Sequence, residues 1–181
     1  MDVPFRILPY QHYIWGKTTP VKITPLASTV ETGRFNFRPI HTPGHSKDHT
    51  VYLEAQKGWL FSGDLYLGDK IKFFRSDEQI TDQINSLKKV LEFDFESLFC
   101  GHRPWKKNGK TRLKNKLDFL ENFYGDVVML MQKGISGKEI IRRMGNGADR
   151  KVKWVTMGNA SFANMVRSVI RSKVFENHSD A

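Results

Sequence analysis

His41-Thr42-Pro43-Gly44-His45-Ser46-Lys47-Asp48-His49, then Phe61-Ser62-Gly63-Asp64, then Phe99-Cys100-Gly101-His102: the fold of this 181-residue chain turns on these three segments. In each, an imidazole or carboxylate follows a short apolar run with strand character and a small residue that lets the chain turn. Side chains so placed project from a sheet edge into a shared cleft, brought together by the fold across long separations and not by one helical turn. Imidazole nitrogen and carboxylate oxygen are donors that borderline and hard divalent metals take. His45, Asp64 and His102 suffice for one metal with an open coordination position, the arrangement that activates a water. The plainer alternative is that Asp64 caps a turn after Gly63 while the two histidines hydrogen-bond backbone at strand ends.

Working outward, Val21 to Leu26 and Phe35 to Ile40 have strand character, with a turn at Gly33 between them. Val51-Tyr52-Leu53 and Trp59-Leu60-Phe61 form a hairpin around Gln56-Lys57-Gly58, so the His45 loop and Asp64 emerge on either side of it. Ser76-Asp77-Glu78-Gln79 has the spacing of a capping box, and Ile80, Ile84, Leu87 and Leu91 follow at helical intervals. Ser97 to Cys100 makes a further strand that delivers His102. Residues 1–20, interrupted by Pro4, Pro9 and Pro20, are expected to be an irregular lead-in.

The order His-Thr-Pro-Gly-His-Ser-x-Asp-His, Ser-Gly-Asp, Gly-His is similar to the second half of the metallo-β-lactamase-fold hydrolases, over roughly residues 20–105. The resemblance implies an α/β fold, the C-terminal half of an αββα sandwich. It also implies that His45 ligates one metal, His102 a second, and Asp64 bridges them, with His41 and His49 as supporting residues. Zinc is the implied cofactor, up to two divalent ions in the complete site, with manganese or iron as other occupants. The first half of that family supplies a His-x-His-x-Asp-His segment. This chain has none, and its sole histidine before His41 is His12. Zinc sites hold three or four protein ligands each, so three ligands over two positions predict weak or no activity for this chain alone. A sheet without its partner sheet exposes an apolar face, which we expect to reflect a truncated chain or to be covered in a homodimer.

Beyond residue 110 the pattern is helical. Leu113, Leu117, Leu120, Tyr124, Val127 and Met131 share one stripe closed by Gly134. Ser136-Gly137-Lys138-Glu139 opens a short helix with Ile140, Ile141 and Met144, and Phe162, Met165, Val166, Val169 and Ile170 mark a last one. We therefore divide the chain into a partial metallo-β-lactamase-fold domain, residues 1–110, and a basic helical C-terminal region, residues 111–181.

Residues 1–102 hold twelve Lys or Arg against twelve Asp or Glu, and residues 103–181 hold seventeen against seven, so the stretch from residue 103 onward carries the whole net charge of +10. Lys106, Lys107, Lys110, Arg112, Lys114 and Lys116 follow His102 closely. They are either a solvated face or a wall at the cleft mouth that draws an anionic substrate or a nucleic-acid backbone. One cysteine, Cys100, excludes an internal disulfide and is expected in a buried strand. No apolar run approaches the ~20 residues of a membrane span, and the expectation is a cytoplasmic protein with no membrane partner. The function expected is metal-dependent hydrolysis of an ester, thioester, lactone or phosphodiester by metal-activated water. A catalytically silent remnant and a basic module for nucleic acid or another acidic partner are the alternatives.

Overall fold

A computed structural model of the chain describes residues 8–16, 22, 24–145 and 147–179. The first element is a helix, α1 (Pro9–Trp15), so the lead-in is not irregular throughout. Proline is favoured at the first helical position, and the Gln11 side chain accepts from the Leu8 N–H at 2.6 Å, satisfying a donor the helix leaves open.

A five-stranded sheet follows, in the order β1 (Val30–Thr32), β2 (Phe35–His41), β3 (Thr50–Glu54), β4 (Trp59–Phe61), β6 (Ser97–Phe99). The first three pairings are antiparallel hairpins and β4 pairs with β6 in parallel. The first strand is thus Val30–Thr32 and not residues 21–26. Thr24 to Ala27 are irregular, while Val21 and Ile23 lie outside the described residues. Pro25 cannot donate to a ladder, and Thr32 and Phe35 pair directly across Gly33-Arg34.

Between β4 and β6 the chain passes through a two-residue strand, β5 (Phe74–Arg75), and α2 (Ile80–Leu91), the crossover helix a parallel pair requires. Ile80, Ile84 and Leu87 of the expected stripe are buried, while its fourth place is taken by Val90, with Leu91 only partly buried. The capping box is not formed. Ser76 Oγ donates instead to Asn159 Oδ1 at 2.6 Å, and the Ile80 N–H is capped by Ser168 Oγ at 2.9 Å, 88 residues away in sequence. A tertiary partner wins because the helix starts three residues later than the Ser76 spacing requires.

The remaining elements are α3 (Gly109–Gln132), α4 (Gly137–Met144), α5 (Arg150–Val155), β7 (Ala160–Ser161) and α6 (Phe162–Ser179). Ser136 caps α4 as its spacing predicts, accepting from Glu139 N at 3.3 Å, and Gly134 ends α3 in the left-handed region at φ +74°. α5 and the β5–β7 pair have no counterpart in the sequence reading, since two-residue strands and a six-residue helix are too short to show a period.

The core lies on one face of the sheet. Ile40, Val51, Leu53, Leu60 and Leu98 cluster with Leu87 of α2, Leu113, Leu120 and Val127 of α3, and Met165 and Val169 of α6. The other face carries Phe35, Phe37, Trp59, Phe61 and Phe99, which touch one another ring to ring at centroid distances of 5.0–6.2 Å and take no part in that core. A sheet with helices on one face and aromatic rings on the other is one half of an αββα sandwich, followed by helices.

Candidate metal centre

The site forms where β2, β4 and β6 end. Gly44, at φ +126°, lets the His41-to-His49 loop press onto the start of α2: an added Cβ there would stand 2.5 Å from Gln83 N. Gln79 N donates to Gly44 O at 2.9 Å and Ser86 Oγ to Pro43 O at 2.7 Å, so α2 holds the loop that presents His45. Beside it, Ser62 N donates to Phe99 O at 2.8 Å, which locks the end of β4 to the end of β6. Asp64 sits in the 3-10 turn Gly63–Leu65 that follows. Leu98 and Trp105 exchange two backbone hydrogen bonds of 2.8 Å, closing a loop that carries His102.

The fold thereby brings the three residues together. His45 Nε2 lies 3.3 Å from Asp64 Oδ2, and His102 Nδ1 lies 3.8 Å from Asp64 Oδ1. Each carboxylate oxygen faces a different imidazole. His45 is mostly buried and His102 largely exposed. On its other side His45 Nδ1 meets Glu78 Oε1 at 3.2 Å. Burial alone would depress the His45 pKa, but the hydrogen bonds to Asp64 and Glu78 outweigh it and lift it from 6.5 to about 9. The same hydrogen bond from His45, against the effect of burial, holds the Asp64 carboxyl below its ordinary range.

His49 stands edge-on to His45, ring centroids 6.0 Å apart, with Nδ1 2.8 Å from Thr42 Oγ1 and the opposite edge over Gly63. Burial first, and the charge of His45 second, lower its pKa. His41 points away, its Nε2 2.7 Å from Lys47 O, and serves the loop. His12 is exposed on α1.

Two groups at the site went unnoticed in the sequence. Glu78, which the capping-box spacing places at a helix start, is buried; it orients His45 and accepts from Gln83 Nε2 at 2.8 Å. Arg75 approaches His45 Nε2 with Nη1 at 3.1 Å and donates from Nη2 to His45 O at 2.8 Å. Arg75 and Glu78 both touch His45 in space but lie 30 and 33 residues from it in sequence, with no motif to signal them.

Among the described residues, no three His, Cys, Asp or Glu side chains converge on one point as a ready metal site. What is assembled is two pairs sharing Asp64. Donors on one tetrahedral zinc, at about 2.0–2.2 Å each, stand roughly 3.3–3.6 Å apart. The His45–Asp64 separation of 3.3 Å lies in that range and the His102–Asp64 separation of 3.8 Å just outside it. The carboxylate of Glu78 behind His45 is the kind of outer partner that orients a metal-binding imidazole. The donors fit a divalent cation in kind, only the His45–Asp64 pair fits it in spacing, and together they fall short of it in number.

The basic residues after His102 are less available than their spacing suggested. Lys116 is fully buried, with Nζ on Leu65 O at 2.5 Å. Arg112 pairs with Asp69 at 2.9 Å and lies over the Trp105 ring, 3.8 Å from its centroid. Lys110 and Lys114 pair with Asp94 and Asp118. Cys100 is partly buried just past β6, its sulfur accepting from Arg103 N at 3.1 Å, and not in the strand itself.

Residues 11–102, just over half of the chain, match the family described as the metallo-beta-lactamase superfamily. The chain is 41% identical over 86 residues to a protein of Drosophila melanogaster named beta-lactamase-like protein 2 homolog, covering 46% of this chain and 28% of that one. It is 31% identical over 104 residues to a hydroxyacylglutathione hydrolase of Legionella pneumophila, covering 56% and 39%. The chain therefore spans well under half the length of these relatives. In fold it is similar to a beta-lactamase domain protein from Burkholderia ambifaria, with a TM-score of 0.60 over 86% of this chain and 49% of that one at 15% identity.

Proposed function

This chain belongs to the metallo-beta-lactamase superfamily, and we propose that it carries part of the active centre of a metal-dependent hydrolase, with His45, Asp64 and His102 as its metal-facing residues. The observation that carries the proposal is Asp64, whose two oxygens each face a different histidine. A divalent cation bound there would polarise a scissile carbonyl or phosphoryl group and acidify a neighbouring water.

The chain's own residues have distinct tasks. Asp64, held ionised by the His45 hydrogen bond, supplies negative charge at the centre of the cluster. Glu78 fixes the His45 ring through Nδ1, leaving Nε2 turned to Asp64. Arg75 holds the His45 backbone while its Nε and Nη2 pair with the Asp77 carboxylate at 3.0 Å, so it braces the loop that presents His45. An ester or thioester is the substrate class favoured by the Legionella relative, named a hydroxyacylglutathione hydrolase. Lactones and phosphodiesters share the same reaction requirement.

One imidazole and one shared carboxylate oxygen per position is below the three ligands of catalytic zinc sites, so the 181-residue chain alone should bind zinc weakly and turn over slowly or not at all. Zinc titration of the purified chain beside the His45→Ala/His102→Ala double variant tests both halves of the reading. Weak binding that the double variant loses is the expected result. Identical zinc binding by the two proteins would remove the assigned residues, and tight stoichiometric zinc with efficient ester turnover would remove the claim of an incomplete centre.

A further inference from the structure

Two large apolar side chains stand almost wholly in solvent where α5 ends, one in its last turn and one in the turn that follows. Trp154 is 83% exposed and Met157 80%, with Val155 beside them at 49%. Single exposed apolar residues are ordinary, but three within four positions, one of them tryptophan, mark a contact surface. Arg150, Lys151 and Lys153, all exposed, precede or adjoin them on the same short helix.

The loop is built to hold this shape. Gly158 N donates to Lys153 O at 2.7 Å, Met157 N to Trp154 O at 3.2 Å and Asn159 N to Thr156 O at 3.0 Å. Thr156 Oγ1 donates to Val152 O at 2.8 Å and accepts from Ala160 N at 3.0 Å. The buried Asn164 amide anchors the loop to the body, donating to Asn159 O at 2.8 Å, Phe74 O at 3.2 Å and Gly158 O at 3.3 Å. Met157 has φ +52°, a left-handed conformation that side-chain-bearing residues rarely adopt, so the turn presents this side chain outward at a conformational cost.

We infer that this knob, Trp154, Val155 and Met157 inside a collar of Arg150, Lys151 and Lys153, docks the protein on an anionic lipid surface. Side chains this exposed have no wall beside them, so they form neither a groove for a peptide nor the row of stacking platforms that successive bases need. A convex apolar tip with a basic collar matches the boundary of a bilayer bearing acidic headgroups. Tryptophan settles at headgroup level there, short apolar side chains enter the acyl boundary, and each lysine or arginine gains from the negative surface potential. No helix of the described residues is long and apolar enough to cross a membrane, so the contact is peripheral and reversible. The expectation of no membrane partner rested on spanning runs, which do not bear on a contact of this kind.

The test is co-sedimentation of the full chain with vesicles of phosphatidylcholine alone, and with about a third phosphatidylglycerol, at low and high salt. Trp154 emission is followed as the difference between the native chain and Trp154→Phe. Expected are binding to the acidic vesicles only, weakening at high salt, and a blue shift of Trp154 on binding. Trp154→Ser/Met157→Ser and Lys151→Glu/Lys153→Glu should each bind about tenfold or more weakly, with unchanged thermal midpoints. Equal partition onto neutral and acidic vesicles would overturn the inference. So would acidic-vesicle binding that both double variants keep, or no vesicle binding at all, including the case in which the same residues retain a single-stranded oligonucleotide or polyglutamate. If a double variant does not fold, the lipid and salt comparison and the emission shift of the native chain decide the matter alone.

Discussion

Lys116 reaches from α3 to the carbonyl of Leu65 with only 1% of its surface exposed, directly beneath the turn that holds Asp64. Burial disfavours its charged form and outweighs the attraction of Glu78 and Asp64, bringing its pKa from 10.5 down to about 8. Between pH 8 and 10.5 the unfolded chain keeps this proton and the folded chain has released it, so the group makes stability rise with pH over that window. The contribution is complete above pH 10.5 and lost as pH falls through 8. Thermal midpoints measured from pH 7 to 10.5 should show this rise in the native chain and a flatter profile in Lys116→Met; identical slopes would show that the ammonium is solvated. The same residue marks a limit of sequence reading. Lys116 falls in a run of basic residues that looks solvated, and only its position on the core-facing side of α3 buries it. Glu78 and Arg75 were hidden for the same reason, since a carboxylate that orients a histidine 33 residues away has no local signature.

At the scale of elements, the site depends on how the His45 loop and α2 are locked together. Gly44→Ala would put a methyl group 2.5 Å from Gln83 N in a backbone conformation that favours glycine. A loss of about 2–4 kcal/mol in chemical denaturation is expected, with zinc binding impaired as His45 shifts; a loss below about 1 kcal/mol would mean that the loop is not pinned. The start of α2 offers a second comparison. Ser168 Oγ accepts from Ile80 N and also bonds Glu78 O at 3.2 Å in a buried setting, whereas Ser136 caps α4 at the surface. Ser168→Ala should cost about 1–2 kcal/mol and Ser136→Ala about 0.5–1 kcal/mol. The reverse order would show that α2 does not rely on its remote cap. Both helices were legible from their apolar spacing, but the cap of α4 is local and readable, while that of α2 comes from α6 and is not.

For the whole molecule, the aromatic face of the sheet is the feature with the widest consequence. Phe35, Phe37, Trp59, Phe61 and Phe99 form one patch outside the core, with Phe61 38% exposed. A contiguous patch of aromatic rings on a sheet face is a candidate surface for a second copy of the chain. The purified chain should self-associate with rising concentration, and Phe61→Ser/Phe99→Ser should shift it toward monomer in sedimentation velocity. A native chain that stays monomeric at every accessible concentration would exclude a second copy as the cover for this face. This patch was anticipated from the missing partner sheet, and the alternation of Phe35, Phe37 and Phe61 with core-facing neighbours is visible in the sequence because strand side chains alternate with period two.

Local, periodic and motif-borne properties were therefore set by the amino-acid sequence alone: the α/β class, the hairpins around the His45 loop, the stripes of α2, α3, α4 and α6, and the identity of the three candidate ligands. Each rests on residues within a few positions of one another, where apolar period and turn chemistry act directly. Only the tertiary structure decided that Glu78 and Arg75 frame His45, that Lys116 is buried, and that Trp154 and Met157 protrude. These depend on which element packs against which, a choice governed by the burial of a shared core spanning residues 40–169, and such long-range contacts leave no mark in any short window of sequence.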